Sequence, residues 1–550
     1  MSADTLRRAW PGAVALLFLN AMLSFSTWWP TPGVVLDARI APEFVLCWVL
    51  LLALVAWRGV PGPRALWFLA AAYLLLVLGR YVDVTAPALF GRAVNLYWDV
   101  PQLPRFLWVA AKEHPAWLVG SALALTALFI WAMHAALRRA IRIAARDAAP
   151  YALRARWTWA LTAFALASAI ANYAGVRATW PYVSKPVVPV YWKQVQLLVA
   201  ASSPALLMQA LPASTAIERA LAAAPGRALA GLRGSDVYLV FLESIGAVIY
   251  DDPRAAQRIG PHRRQLARAV SETGRSMVSA FVRSPTIGGG SDLAHLSLLS
   301  GIDLSDPRRH DLLLTTTRPT LISLFRREGY RTFGLYAAVS WEWPERAYYG
   351  FDVYLEGRML DYRGPALGPW YMPDQFSLAR FEAMHPRTAG EPPRLVFFPT
   401  ITSHLPFSPV PPYQPDWKRV LDPEPFDAGE LARARAERVN WLDMFPDYLR
   451  MVEYAFRWLE GFLRLPEPRD TVYVLLGDHQ PAANVAGEGQ PWDVPVYVIA
   501  RDRALLGRLE ARGFAAGIDP PRSPLGGMHE LTAVLLEAFG APAVAQGESR

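Results

Sequence analysis

Hydrophobic positions are distributed in two different ways along the chain, and the change falls near residue 236. Before it, apolar residues form long runs that charges seldom interrupt. Residues 9–29 carry no charged side chain and follow Arg7 and Arg8; further apolar runs occupy residues 44–57, 65–79, 115–137 and 157–176. A helix needs about 20 apolar residues to cross a bilayer. The pattern therefore predicts five membrane-spanning helices, the second and third of them short. The second reaches full length only if residues 40–43 lie in the interface, and Arg80 and Asp83 are able to snorkel at the end of the third. A cleaved signal peptide is the alternative for the first run, but apolar spans continue after it, which favours an anchored helix.

Beyond residue 236, short apolar runs alternate with longer helical patterns. Residues 237–242, 332–336, 394–398, 472–476 and 496–500 read as buried strands. Residues 319–327, 439–463 and 528–539 carry helical periodicity. Such alternation predicts an α/β domain whose sheet is mostly parallel and covered on both faces. Between the two regions, residues 181–212 are proline-interrupted and aromatic, and read as a juxtamembrane connector with an interfacial helix. The loop 95–113, with Trp98, Phe106 and Trp108, has the same character; ordinary packed loops are the alternative for both. The expected organisation is a five-helix transmembrane domain over 1–178, a connector over 179–235 and an α/β domain over 236–550.

Composition changes this picture in three places. Of 550 residues, 53 % are hydrophobic and 19 % charged, with 21 Trp; that is too apolar for an ordinary soluble enzyme and too charged for a pure membrane bundle. Length by itself suggests about three domain-sized units. The net charge of +8 does not describe a nucleic-acid surface, since no basic stripe or nucleic-acid module accompanies it. Instead the arginines collect between spans: Arg7 and Arg8 before the first, Arg58 and Arg64 between the second and third. Arg138, Arg139, Arg142, Arg146, Arg154 and Arg156 crowd the next such loop against one acid, Asp147. With five crossings all three groups share one side, which the positive-inside rule makes cytoplasmic. Everything after residue 176 is then expected outside the cytoplasm. Cys47, the single cysteine, excludes an internal disulfide and a cysteine-based metal site.

The chemistry centres on Gly288-Gly289-Gly290-Ser291. Three glycines permit a tight turn and close approach of a ligand, and the apolar periodicity that follows sets Ser291 at the start of a short helix. There it would sit among unpaired N–H groups at the positive end of the helix dipole, a cradle for an oxyanion or phosphate. A plain N-cap serine is the alternative. Other polar residues fall at predicted strand ends, where α/β sheets build their sites. The first strand ends in Glu243, another runs to Ser403-His404, and a third ends Gly477-Asp478-His479. Glu243, Asp478 and His479 offer two oxygen ligands and one nitrogen, a set suited to Zn²⁺ or Mn²⁺. Taken singly, Glu243 could be an acid at a helix N-terminus, Asp478-His479 an Asx turn before Pro481, and His404 a loop histidine. Several strands ending this way favour a site.

Phe241-Leu242-Glu243-Ser244, the glycine-led Ser291, Ser403-His404-Leu405-Pro406 and Gly477-Asp478-His479 together resemble the alkaline phosphatase superfamily. More narrowly, they are similar to membrane phosphoalcohol transferases of the lipoteichoic acid synthase type. That resemblance implies five membrane helices followed by an extracytoplasmic sulfatase-like α/β domain, in a bacterial inner (plasma) membrane. It implies one divalent metal, Zn or Mn, bound by Glu243, Ser291, Asp478 and His479, with Ser291 as nucleophile and His404 contacting the phosphate or leaving group. Trp341, Trp343 and Arg346 are its candidates for substrate binding, at a spacing that departs from the family's. The implied partners are a phospholipid donor and a glycan or lipid acceptor of the cell envelope, with no nucleic acid. Serine replaces the family's usual threonine, and Gln480-Pro481 stands where many relatives have glycine. The absence of disulfides argues against lipid A as acceptor. A hydrolase using the same site and a membrane scaffold with a decayed site are the competing functions. A sulfatase proper is disfavoured, because Ser291 lacks the Cys/Ser-x-Pro-x-Arg context from which formylglycine is made.

Overall fold

The computed structural model describes residues 3–541, except 29–31, 91–92, 105–106, 109–110, 112–114, most of 151–182, 204–210, 213, 340–345, 369–371 and 389. The chain divides into two compact units, Met1–Ser202 and Ser203–Arg550, where length suggests three. The stretch expected as a separate connector is shared between them.

In the first unit, α1 (Ala3–Ser24), α2 (Pro42–Arg58), α3 (Pro63–Phe90) and α4 (Ala116–Ala148) fall on the first four expected spans. The fifth, residues 157–176, lies almost wholly outside the described residues. Two described helices, Pro63–Pro87 and Ala116–Ala148, are long and apolar enough to cross a membrane, with mean hydropathies of 1.8 and 1.9. The described residues account for two spans by that measure. Leu19, Leu23, Val55, Ala70, Tyr73 and Ile141 form the shared core of the four helices. The stretch read as a connector contains the helix α5 (Val188–Ala201), with Trp192 and Val199 exposed.

Arg80 and Asp83 do not snorkel. The third helix runs a further eleven residues past Gly79 to Phe90, so both lie inside it, their side chains buried and 3.7 Å apart. Arg80 donates to the carbonyls of Phe25 and Lys185, and Lys185 approaches Asp83 at 3.6 Å. Burying the pair is tolerated because each charge meets an opposite one.

The second unit is built on one eight-stranded sheet. Its strands are β1 (Asp236–Leu242), β2 (Ser276–Arg283), β3 (Arg331–Tyr336), β4 (Val353–Glu356), β5 (Arg394–Pro399), β6 (Thr471–Gly477), β7 (Asp493–Ala500) and β8 (Ala515–Ala516). Their spatial order is β8-β2-β7-β6-β1-β5-β3-β4. The five strands from β6 to β4 run parallel; β7 is antiparallel to β6, and β2 is antiparallel to β7. All five predicted strands are present and the sheet is mostly parallel, but the last of them, β7, runs the other way. β1 is buried along its whole length. Its Tyr238, Val240 and Leu242 face the core under α6 (Pro253–Glu272) and α9 (Phe445–Leu463), while Phe241 on the opposite face meets α7 (Ser291–Ser300). α10 (Met528–Phe539) packs on α7, where Thr532 Oγ1 donates to the Leu298 carbonyl. α8 (Asp374–Met384) precedes β5.

Candidate active site

The centre of the sheet is β6-β1-β5, three neighbouring parallel strands whose carboxyl ends lie on one rim. β2 ends on the same rim, because two reversals restore its direction. Glu243 follows β1, Asp478 and His479 follow β6, His404 follows β5, and the glycine turn follows β2. Strand direction alone thus gathers residues far apart in sequence.

Local chemistry then fixes each side chain. Gly288, Gly289 and Gly290 have φ of 66°, 133° and 77°, values open to glycine at little cost. Thr286 Oγ1 donates to the Gly289 carbonyl at 2.6 Å, and Gly288 N donates to the Gln480 carbonyl at 3.0 Å. The turn is thereby tied to the end of β6. Gly290 is the N-cap of α7 and Ser291 its first residue. Ser291 is therefore not the cap. Its Oγ donates to Glu243 Oε2 at 3.1 Å and stands 3.3 Å from His479 Nε2.

Glu243 is held by its neighbours: its N–H donates to Thr400 Oγ1 at 2.9 Å and its carbonyl accepts from Ser403 Oγ at 2.7 Å. Ser244 sits in the left-handed region at φ 57°, an unusual conformation for a residue with a side chain. There its N–H reaches Asp478 Oδ1 at 2.8 Å and its Oγ donates to Glu243 Oε1 at 2.8 Å. Gly477 lets this turn press against β6, since a Cβ there would lie 1.8 Å from the Ile245 carbonyl oxygen.

Glu243, Asp478 and His479 are all buried, and each offers a ligand atom within 4.8 Å of the others. His479 Nε2 is 3.4 Å from Glu243 Oε1 and 3.5 Å from Asp478 Oδ2. Its Nδ1 faces the Gln480 carbonyl at 2.8 Å; donation there leaves the Nε2 lone pair turned to the cluster, the tautomer a metal ligand needs. Asp478 Oδ1 also accepts from the His479 N–H at 2.6 Å, while Oδ2 is buried without a hydrogen-bond partner. Burial, with Glu243 adding to it, pushes the Asp478 carboxyl up to about 7. Burial lowers the pKa of His479, but the two carboxylates outweigh it and the net shift is upward. Among the described residues no lysine or arginine pairs with the Asp478 carboxylate. The residues thus fit a divalent cation: two acids and an imidazole nitrogen converge, and one Asp478 carboxylate oxygen is buried without a hydrogen-bond partner.

His404 is half-buried on the loop after β5. Its N–H donates to the Ile401 carbonyl and its Nδ1 lies 2.9 Å from the Leu405 carbonyl. Burial, reinforced by His479, lowers its pKa and so favours the neutral ring. It lines a narrow pocket with Met372, Thr402 and Phe407. Arg346 opens the short helix Arg346–Tyr349, exposed and over the Tyr354 ring at 5.3 Å, without an ion pair or hydrogen bond to the cluster among the described residues. Trp341 and Trp343 lie outside the described residues.

Sequence reasoning missed the supports of this rim. Asp374, at the start of α8, accepts from the N–H groups of Ile401 and Thr402 at 2.8 and 3.0 Å and so shapes the loop that carries Ser403 and His404. Ser284 Oγ donates to the Asp478 carbonyl at 2.6 Å, and Tyr448 OH to the Ser244 carbonyl at 3.0 Å. Gln480, noted only as a departure, accepts from Val248 N with Oε1 and donates from Nε2 to the Pro491 carbonyl.

No protein-family model matches the chain, and no curated protein matches it in sequence. Among solved structures, it is similar to a protein of the alkaline phosphatase superfamily from Vibrio parahaemolyticus at 17 % identity and a TM-score of 0.34, covering 49 % of this chain and 60 % of that one. The chain therefore spans less than two thirds of that protein. Lipoteichoic acid synthase LtaP from Listeria monocytogenes is similar at 13 % identity and a TM-score of 0.36, over 56 % of this chain and 75 % of that one. The Streptococcus pyogenes phosphoglycerol transferase GacH, solved with sn-glycerol-1-phosphate, is similar at 12 % and 0.33, over 62 % and 91 %.

Proposed function

We propose that the second unit transfers a phosphoalcohol headgroup, phosphoglycerol or phosphoethanolamine, from a phospholipid to a glycan or lipid acceptor of the cell envelope, through a covalent intermediate on Ser291. The observation that carries this reading is the setting of Ser291. Its hydroxyl stands at the first residue of a ten-residue helix, 3.1 Å from a buried carboxylate and 3.3 Å from an imidazole nitrogen.

In this reading the donor phosphodiester lies at the N-terminus of α7, where unpaired N–H groups and the helix dipole favour its negative oxygens. Ser291 Oγ bonds to phosphorus and its proton passes to a neighbouring base, with Glu243 Oε2 the nearest acceptor. The bond from phosphorus to the diacylglycerol oxygen breaks, and that oxygen takes a proton as it leaves. His404 is assigned to proton transfer with the leaving and entering oxygens, a task for which a neutral imidazole is suited. The acceptor hydroxyl then bonds to phosphorus, gives up its proton, and the phosphorus–Ser291 bond breaks to restore the enzyme. When bound, a Zn²⁺ or Mn²⁺ at Glu243, Ser291, Asp478 and His479 supplies Lewis acidity that favours the serine alkoxide and offsets phosphoryl charge. The apolar helices α3 and α4 support a membrane location, and the arginine placement supports an extracytoplasmic, periplasm-facing second unit.

The test is mass spectrometry of the full chain after incubation with phospholipid. A headgroup-sized adduct on Ser291 is expected, discharged faster by acceptor glycan than by water. Ser291→Ala should abolish the adduct and lower turnover by several orders of magnitude, as nucleophile deletions do. Equal discharge by water and glycan would make the protein a phosphodiesterase; full activity in Ser291→Ala would remove the covalent mechanism.

A further inference from the structure

The proposed reaction takes its donor from a lipid surface, and one place on the second unit is suited to meet one. Large apolar side chains in that unit are buried almost throughout; among its described residues only Met359, Trp441 and Leu442 are exposed. Trp441 and Leu442 are adjacent, 56 % and 80 % exposed, at the tip between the helix Ala428–Ala436 and α9.

The tip is a fixed turn. Asn440 Oδ1 accepts from the N–H groups of Leu442 and Asp443 at 3.2 and 3.3 Å, and the Asn440 carbonyl accepts from Asp443 N at 3.1 Å. Met444 and Phe445, which follow, are buried and pin the turn to the core. Three exposed cations, Arg433, Arg435 and Arg438, precede it. An exposed tryptophan and leucine beside arginines match the chemistry of an anionic bilayer interface: indole at headgroup depth, leucine below it, guanidinium on phosphate.

The tip is also joined to the site. Glu437 Oε2 accepts from Ser408 Oγ at 3.2 Å and from Val410 N at 3.0 Å, both on the loop that carries His404. Its Oε1 accepts from Arg450 Nη1 at 2.8 Å on α9. Glu437, three residues before the turn, thus ties this segment to the loop that carries His404 and to α9.

We infer that Trp441 and Leu442 insert into the headgroup region of an anionic lipid leaflet, and that this contact seats the His404 loop against the layer from which donor headgroups are drawn. The purpose, though not the contact itself, rests on the transferase reading above. The probe of contact is the full chain with Cys47→Ser and Leu442→Cys, carrying an environment-sensitive fluorophore at 442, in vesicles of phosphatidylglycerol and phosphatidylcholine. Brominated lipid should quench this label, and should not quench one placed by Met359→Cys. The probe of purpose is Trp441→Ser with Leu442→Ser. Adduct formation from donor in the bilayer should slow about tenfold at fixed lipid composition, whereas a water-soluble short-chain donor should react at the wild-type rate, which also shows that the variant folds. No quenching at 442, or protection of the label by glycan instead of lipid, overturns the inference, as does wild-type use of bilayer donor by the variant. Failure of the transferase reading looks different: wild type forms no adduct from either donor, while the quenching result still decides the contact.

Discussion

The two rims of one sheet handle buried charge in opposite ways. At the amino ends of the central strands, Asp236 pairs with Arg387, lies 3.8 Å from Arg469 and accepts from the Arg394 N–H at 2.8 Å. Arg394 in turn bonds both oxygens of Glu382, at 2.7 and 2.6 Å. Two acids there meet three arginines. At the carboxyl ends, Glu243 and Asp478 lie side by side and share His479 as an ion-pair partner. Burial pushes Asp236 upward against the pull of its arginines; at Asp478, burial and the neighbouring acid push together. Balanced buried charge is near neutral for stability. Like charges held together in the interior are unfavourable to the bare fold, and such sites are where function is found. Sign balance, more than burial, separates the two.

The comparison breaks most sharply at the carboxyl rim. Glu243→Gln or Asp478→Asn should each weaken metal binding by more than about 10²-fold, beyond what loss of an outer-shell partner costs, and abolish the Ser291 adduct while the fold persists. Stoichiometric metal by elemental analysis in both variants would end the assignment of this rim. At the amino rim the expectation inverts. Asp236→Ala leaves Arg387 and Arg469 facing no carboxylate and should cost about 3–5 kcal/mol of stability, with adduct formation per folded molecule unchanged. Denaturant unfolding that matched wild type would show that this rim is not structural either. The smallest effect is a pH slope. The folded Asp478 carboxyl, near 7, lies above its unfolded value of about 4, so the folded metal-free protein holds the extra proton in that window. Stability of metal-free protein should therefore fall as pH rises from about 4 to 7, with the raised His479 acting in the same direction. Asp478→Asn should flatten the slope, as measured by thermal unfolding across pH.

What could be read in the sequence follows physical range. The five strands expected from apolar runs exist because a buried strand must be apolar locally. β2 escaped notice because Ser276, Ser279 and Ala280 dilute its pattern, although it is buried through pairing with β7. The reversal of β7 leaves no local trace, since direction is set by neighbours. Glu243, Ser291, His404, Asp478 and His479 stood out because strand ends and a triple glycine mark positions without reference to tertiary contacts. Asp374 and Ser284 did not, because their role is to hold someone else's backbone. Arg80 and Asp83 were misjudged for a related reason: whether a charge near a span's end reaches water depends on where the helix stops and what crosses it.

The cradle also has a place in time. Ser244 meets Asp478 across 234 residues of sequence, and the contact exists only once β6 has paired beside β1. Closing so long a loop is entropically demanding and comes late in a folding reaction ruled by chain topology. A metal ion can therefore find no preassembled cradle on a nascent or half-folded chain. A metal bound there would reward completion of the sheet but not initiate it, so its occupancy would report that the last central strand has docked.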